Sequence, residues 1–268
     1  MRMSERGPNK GDKRRERIMT MLKRQGKITI QEIIDALHCS EATARRDLDS
    51  LARQGSLIRT IGGAQLDHLP ASREIPFHEK KQLLLLEKEA IAAKAAAMVK
   101  PGDVVGLTGG TTTYLIAKAL KELRGITVVT NAVNIAMELA DCDGIQLVLT
   151  GGVMRQNSYE LCGPLAEKVV EGLNIGIMFA GVDGVTAEQG LTTYSEQEAV
   201  IARLMLKRSV SSYAVFDHTK VGRASLFSFA GLDAVSGCVT DRQPEGEVGR
   251  YLEERGIPVY VAETAAVP

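Results

Sequence analysis

The residues best suited to hold an anion are Thr108, Gly109, Gly110, Thr111 and Thr112. They follow the apolar run 104–107 and precede a segment with helical patterning. Bare backbone N–H groups at a helix start, with hydroxyls beside them, favour a phosphate. The stretch lacks a lysine at the spacing of a nucleotide-binding P-loop, so a site of that kind is not supported. A tight strand-to-helix turn without a ligand fits the same residues. Four further apolar runs end in polar or glycine punctuation: Thr130 with Asn131; Thr150 with Gly151 and Gly152; Gly181 and Val182 with Asp183 and Gly184; and Asp217, His218 and Thr219 with Lys220. Ligands of open α/β sheets bind beyond the carboxyl ends of the strands. Five such loops on one sheet edge therefore predict a pocket. In it Lys220 offsets the charge of a phosphate, and Asp183 and Asp217 accept bonds from sugar hydroxyls. A helix cap or a salt bridge is the competing explanation for each of these residues.

A second constellation lies near the N-terminus. Ser40, Glu41, Ala42, Thr43, Ala44, Arg45, Arg46, Asp47 and Leu48 read as a capped helix, 41–53. The Ser40 hydroxyl can accept from a free backbone N–H, and Glu41 suits the positive end of the helix dipole. Ala44, Leu48 and Leu51 share one face and can pack. Arg45 and Arg46 can reach guanine edges or phosphates, and Thr43 can touch a thymine methyl. Arg59 lies where a wing meets the DNA backbone, and Lys13, Arg14, Arg15 and Lys27 add attraction independent of sequence. Basic side chains that are merely solvated are the bland alternative.

The elements that must position these groups follow from periodicity. A helix begins at Asp12, carries Ile18, Met21 and Leu22 at helical spacing, and stops at Gly26. A β-branched link at 27–30 leads into a helix with Ile33, Ile34 and Leu37. After the 41–53 helix, Gly55 is a stop and 56–64, with Gly62 and Gly63, reads as a hairpin. Helix, helix, helix, hairpin is the order of a winged helix-turn-helix. Residues 66–85, with Pro70 and Pro76, read as a linker, and a helix starts near Leu83. Beyond Pro101, apolar runs at 104–107, 126–129, 145–149, 175–180, 213–216, 235–239 and 259–261 alternate with helical patterns at 112–123, 132–140, 164–173, 196–208 and 245–255. That alternation predicts a mainly parallel sheet covered by helices. The expected organisation is α/β: a polar, disordered tail (1–12), a winged helix-turn-helix domain (13–66), a linker (67–85) and a larger sensing domain (86–264).

Composition narrows the classes. The net charge is zero, but residues 1–66 hold 14 Lys+Arg against 8 Asp+Glu, leaving 19 against 25 in the remainder. A basic head on an acidic body points to a polyanion met by the head alone. No apolar run is long enough for a membrane span, and no signal-peptide pattern follows the N-terminal arginines, so the expected location is the cytoplasm. Cys39, Cys142, Cys162 and Cys238 are scattered, form no metal-ligand spacing with the four histidines, and read as reduced thiols. Neither a metal nor a cofactor is expected.

Thr43, the run Arg45 to Leu48, Leu51, Gly55, Leu57, Arg59 and the Gly62, Gly63, Ala64 triplet resemble the DNA-binding domain of the DeoR family of bacterial sugar-metabolism regulators. Ala44 stands where that family usually has Ile or Val. By this resemblance Asp47 is a structural partner of a nearby arginine. The five loops listed above also fall in the family's order, over a domain similar to ribose-5-phosphate isomerase. Thr108 with Gly109 departs from the Asp-Ser or Ala-Ser common there. The resemblance implies double-stranded operator DNA and a phosphorylated sugar as partners, and repression released by that effector. A homodimer or homotetramer is expected, because one recognition helix reads only a few base pairs. The alternative is an isomerase-like enzyme with an appended head, for which Asp183, Glu196, Glu198 and Asp217 supply carboxylates.

Overall fold

The computed structural model describes residues 10–25, 27–53, 57–65 and 74–263. They divide into two compact units. The expected helix stops at Gly26 and Gly55, most of the tail and the first half of the linker lie outside the described residues.

The first unit runs α1 (Lys10–Gln25), β1 (Lys27–Thr29), α2 (Ile30–Leu37), α3 (Glu41–Arg53), β2 (Ile58–Thr60) and β3 (Gly63–Gln65). Helix α1 starts at Lys10, two residues ahead of Asp12, so residues 10–12 are not part of a disordered tail. Thr29 ends β1 and caps α2. Its hydroxyl accepts from the Glu32 N–H, and its own N–H donates to Glu32 Oε2 at 2.7 Å. This reciprocal box satisfies two backbone donors that a helix start leaves open. Ser40 does the same service for α3, its Oγ accepting from the Thr43 N–H at 3.3 Å. The three helices bury Ile18, Leu22, Ile33, Ala44, Leu48 and Leu51 against Ile28 and Ala64 of the small sheet and Leu57 just before β2. Ala44 is fully buried, so the small residue sits inside the core.

The sheet order is β1-β3-β2, all antiparallel. β2 and β3 form the wing, and β1 ties it back to the helices. The Ile30 N–H donates to the Gly62 carbonyl at 2.8 Å, which fastens the wing turn to the first residue of α2.

The second unit begins with α4 (Phe77–Lys80); α5 (Leu85–Ala96) follows, its Leu85 grouped with the first unit. The stretch read as a linker thus carries structure in its second half. Then come β4 (Val104–Leu107), α6 (Thr111–Leu120), β5 (Ile126–Thr130), α7 (Val133–Leu139), β6 (Ile145–Leu149), β7 (Val153–Met154), β8 (Leu161–Cys162) and α8 (Pro164–Glu171). The remainder is β9 (Ile175–Gly181), β10 (Gly184–Thr186), β11 (Gly190–Thr193), α9 (Glu196–Lys207), β12 (Ser209–Phe216), β13 (Phe227–Ala230), β14 (Gly237–Thr240), α10 (Gly246–Glu254) and β15 (Val259–Val261). Seven strands form one sheet in the order β15-β14-β12-β9-β4-β5-β6, and every pairing in it is parallel. The inner strands β4, β5, β9 and β14 are largely buried on both faces and need continuous apolar runs, which is why the sequence pattern located them.

Three features differ from the sequence reading. β12 begins at Ser209, ahead of the apolar run, because serine hydroxyls are satisfied locally: Ser211 Oγ donates to the Gly176 carbonyl at 3.1 Å. β14 begins at Gly237, because residues Leu232–Ala234 form a 3-10 turn first. A second antiparallel sheet, β10-β11-β13, was not anticipated. β10 and β11 are rich in glycine and threonine, and Thr192 Oγ1 donates to the Gly184 carbonyl between them.

Candidate functional site

In the first unit, α3 presents Glu41, Ala42, Arg45, Arg46 and Asp49 outward, with Thr43 half-buried and Ala44, Asp47 and Leu48 inward. The arginines expected to meet DNA divide into two groups. Arg14 donates through Nε to Asp47 Oδ2, and Arg15 reaches the other oxygen of the same buried carboxylate. Arg14 therefore locks α1 to α3, as does Arg15. Arg59 donates to Asp49 at 3.0 Å and to the Gly63 carbonyl at 2.6 Å, so it braces the wing against α3. Arg45 is paired with Glu41 one turn back at 2.7 Å. Arg46 is exposed, its Nε donates to the Ala42 carbonyl, and it has no carboxylate partner among the described residues. Of Arg45 and Arg46, it is the one without a carboxylate partner among those residues. Lys27 is exposed at the start of β1, and Ser40 Oγ shares a hydrogen bond with Thr43 Oγ1 at 2.9 Å. The wing tip carries Ile61, an apolar side chain fully exposed.

In the second unit, the chain leaves β4 for β5 and β6 on one side and returns to β9, β12, β14 and β15 on the other. The gap between β4 and β9 is thus the place where the winding reverses, and ligands of such sheets bind at that point. A cavity of about 810 Å³, in part continuous with solvent, opens there. One wall is Thr108, Gly109, Gly110, Thr111 and Thr112, between β4 and α6. Gly110, the residue before α6, takes φ +127°, a conformation that favours glycine. Thr108 Oγ1 accepts from the Gly181 N–H at 3.0 Å, fastening the β4 loop to the end of β9.

The opposite wall holds Asp183, Asp217 and Lys220. Asp183 receives Lys80 Nζ on Oδ1 at 2.6 Å, and the Tyr194 N–H and Thr193 hydroxyl on Oδ2. Burial alone pushes its carboxyl upward, but Lys80 and Lys220 outweigh that and hold it at about 2. Asp217 caps the 3-10 turn that carries Lys220, accepting from the Thr219 N–H at 3.1 Å. Burial opposes its ionisation too, and Lys220 and Lys88 overcome it, leaving the carboxyl below its ordinary value. Thr108, Gly109, Gly110, Thr111, Thr112, Asp183, Asp217 and Lys220 are therefore brought together.

Asn131, Gly151, Gly152 and Gly184 are not among the lining residues. Asn131 is buried behind the wall and donates to Glu160 Oε2 at 2.9 Å. Gly151 and Gly152 make the turn from β6 to β7, where a Cβ on Gly152 would meet the Cys162 carbonyl at 2.7 Å. Gly184 starts β10, and its missing side chain admits the Arg223 carbonyl. None of these four expected residues lines the cavity: Gly152 and Gly184 serve close backbone approach, Gly151 takes φ +70° at the turn, and Asn131 positions a carboxyl.

The sequence reading missed the rest of the site. Glu74, Phe77 and Lys80, from the stretch read as linker, line the cavity together with Glu160, Thr193 and Glu198. Arg155, just outside, donates to Glu198 at 3.0 Å and to Glu74 at 2.7 Å. Glu160 leans on Gly109, where a Cβ would lie 2.2 Å from its side chain. Burial, reinforced by Glu198, pushes the Glu160 carboxyl up to about 8. Lys88 is buried behind Lys80, donates to its carbonyl at 3.0 Å, and is pushed down by burial to about 8. None of these residues sits in a sequence motif; only the Glu198 carboxylate had been singled out, as a base for the enzyme alternative. Glu196 is exposed and outside the lining.

A winged helix-turn-helix followed by a parallel α/β unit with a polar cavity defines a DNA-binding regulator with a sensor domain. The chain belongs to the DeoR family. The DeoR-like helix-turn-helix domain matches residues 14–69, and the DeoR C-terminal sensor domain matches residues 85–242. It is 39% identical over 244 residues to the lactose phosphotransferase system repressor of Lactococcus lactis, covering 90% of this chain and 94% of that one. It is 32% identical to the transcriptional regulator GolR of Listeria innocua, covering 93% and 98%. It is 28% identical to the glycerol-3-phosphate regulon repressor of Escherichia coli, covering 92% and 98%. Ribose 5-phosphate isomerase of Methanocaldococcus jannaschii aligns with half of the chain, and 53% of its own, at a TM-score of 0.38 and 19% identity, too loosely to carry an argument. The protein is a DNA-binding transcriptional regulator of this family. No described helix is long and apolar enough to cross a membrane.

Proposed function

We propose that the protein represses a carbohydrate-utilisation operon and that a phosphorylated sugar in the β4–β9 cavity relieves the repression. The observation that carries this reading is that a single cavity lining holds two chemistries. The start of α6 with Thr111 and Thr112, and the Lys220 ammonium, suit an anion. Asp183 and Asp217 suit hydroxyl donors. A phosphate and a polyol on one molecule satisfy both. The sugar-related names of the relatives point the same way.

The cavity fits sensing better than turnover. Asp183 is held by Lys80 and by two further donors, Asp217 caps its own turn, and Glu198 is taken by Arg155 and Thr193. Carboxylates so engaged are poor proton acceptors for an isomerisation. Two copies of the chain act together on the operator, since one recognition helix reads too few base pairs alone.

Three outcomes follow. Pentose and hexose phosphates, screened by thermal shift, will include one that stabilises the protein, because a ligand of the folded state adds its binding energy. Lys220→Ala will weaken that ligand about tenfold or more and leave ligand-free DNA binding unchanged. A full response in Lys220→Ala removes the lysine from the site. Arg46→Ala will weaken binding to duplexes selected by the wild-type protein by at least ~10-fold, with an unaltered melting temperature. Wild-type affinity in that variant removes α3 from the groove.

A further inference from the structure

The matched family domains end at residue 69 and resume at residue 85. Between them lies a cavity wall. Segment 74–81 is fastened by the Phe77 N–H to the Asn157 carbonyl at 2.7 Å, by Asn157 Nδ2 to Glu74 at 2.9 Å, and by Arg155 to Glu74. The Phe77 ring packs edge-on to Tyr114 and Tyr159, each 5.6 Å away. At its far end Lys80 reaches Asp183.

These ties differ in kind. Arg155 holds two carboxylates at once and is gripped from both sides. Lys80 and Asp183 meet through a single contact, and both side chains are about one-fifth exposed, at the cavity. A hydroxyl group is both donor and acceptor. It can accept from Lys80 Nζ and donate to Asp183 Oδ1, so it can slot between them with no hydrogen bond lost.

Resting on the reading of the cavity as a phosphosugar site, we infer that a ligand hydroxyl inserts between Lys80 and Asp183. Lys80 is then a ligand-binding residue contributed from outside both matched domains. Two hydrogen bonds in series span about 5 Å, against the 2.6 Å of the direct pair. Insertion therefore pushes 77–80 outward from β9. Residue 74 lies five residues beyond the matched DNA-binding domain, which ends at residue 69, so the displaced segment belongs to the chain that leads from one domain to the other.

The test uses the full chain with two probes: the phosphosugar that gives the largest thermal shift, and inorganic phosphate alone. Hydrogen exchange is followed at the Phe77 and Lys81 amides, and affinity by calorimetry. In the wild type the phosphosugar speeds exchange at both amides at least fivefold, while phosphate alone, having no sugar hydroxyl, leaves them unchanged. Lys80→Met and Asp183→Asn each lose about tenfold in affinity, and Lys80→Arg keeps most of it. Equal affinity in Lys80→Met, or unchanged exchange at 77 and 81 on phosphosugar binding, overturns the insertion and leaves the cavity reading standing. Faster exchange with phosphate alone also overturns it, since Lys80 then answers the anion. No thermal shift with any phosphosugar overturns the cavity reading and the insertion together. Lys80→Arg separates loss of the contact from loss of the fold.

Discussion

Gly63→Ala will destabilise the DNA-binding domain by at least about 3 kcal/mol and abolish operator binding. A Cβ there would lie 2.1 Å from the Ile28 carbonyl oxygen and 2.9 Å from the Thr29 Cα. Both obstacles are backbone, and both belong to β1, to which β3 is paired. Relief requires β3 to move off β1, which separates the wing from the start of α2. The neighbouring glycine is the control. Gly62 has φ +86° at the wing turn but open space where a Cβ would go. Gly62→Ala costs only the left-handed penalty, about 1 to 2 kcal/mol. Thermal unfolding followed by circular dichroism, with fluorescence anisotropy on labelled operator DNA, separates the two. Equal stability of both variants would show that the β1–β3 contact is softer than described.

The second large effect is a pH dependence centred on Glu160. Its carboxyl is pushed up to about 8 by burial and by Glu198. The folded protein thus binds this proton more tightly than the unfolded chain, whose carboxyl has its ordinary value near 4.5. The sign follows from linkage: stability is lost as pH rises from about 4.5 to about 8, and the full penalty persists above that range. Glu160→Gln removes the titration while leaving an oxygen to accept from Asn131. The variant is expected to match the wild type below pH 4.5 and to exceed it by on the order of a few kcal/mol above pH 8. Melting temperatures across pH 4 to 9 decide it. Parallel curves for the two proteins would falsify the assignment. On the proposed phosphosugar reading, proton uptake on ligand binding is a corollary, since an anion placed beside Gly109 would further favour the protonated carboxyl.

The elements were legible because their determinants are local. Runs at 104–107, 145–149 and 259–261 coincide with β4, β6 and β15, and the start of α3 at Glu41 followed from its cap. Short β-branched and apolar runs, even in the half-buried edge strands β6 and β15, and helices with a capping residue write themselves into short windows. The site was legible where a strand end changes abruptly to glycine, threonine or aspartate. It was illegible where a partner arrives from far along the chain. Glu74 meets Arg155, and Lys80 meets Asp183, over separations of 81 and 103 residues. No local pattern marks such a pair. The same blindness explains Arg14 and Arg59. Both are arginines of a basic head, and only the fold shows that their charge is spent on Asp47 and Asp49.

The order of strands has a consequence for biosynthesis. The small sheet of the DNA-binding domain is complete once Gln65 has been made. β4 ends at Leu107, yet its neighbour β9 starts only at Ile175. Ribosomes add about 5–20 residues per second, so the interval is several seconds. Throughout it one edge of β4 has no partner, and the cavity has only one wall. A chain that stops within this interval carries the complete DNA-binding domain but only part of the sensor domain.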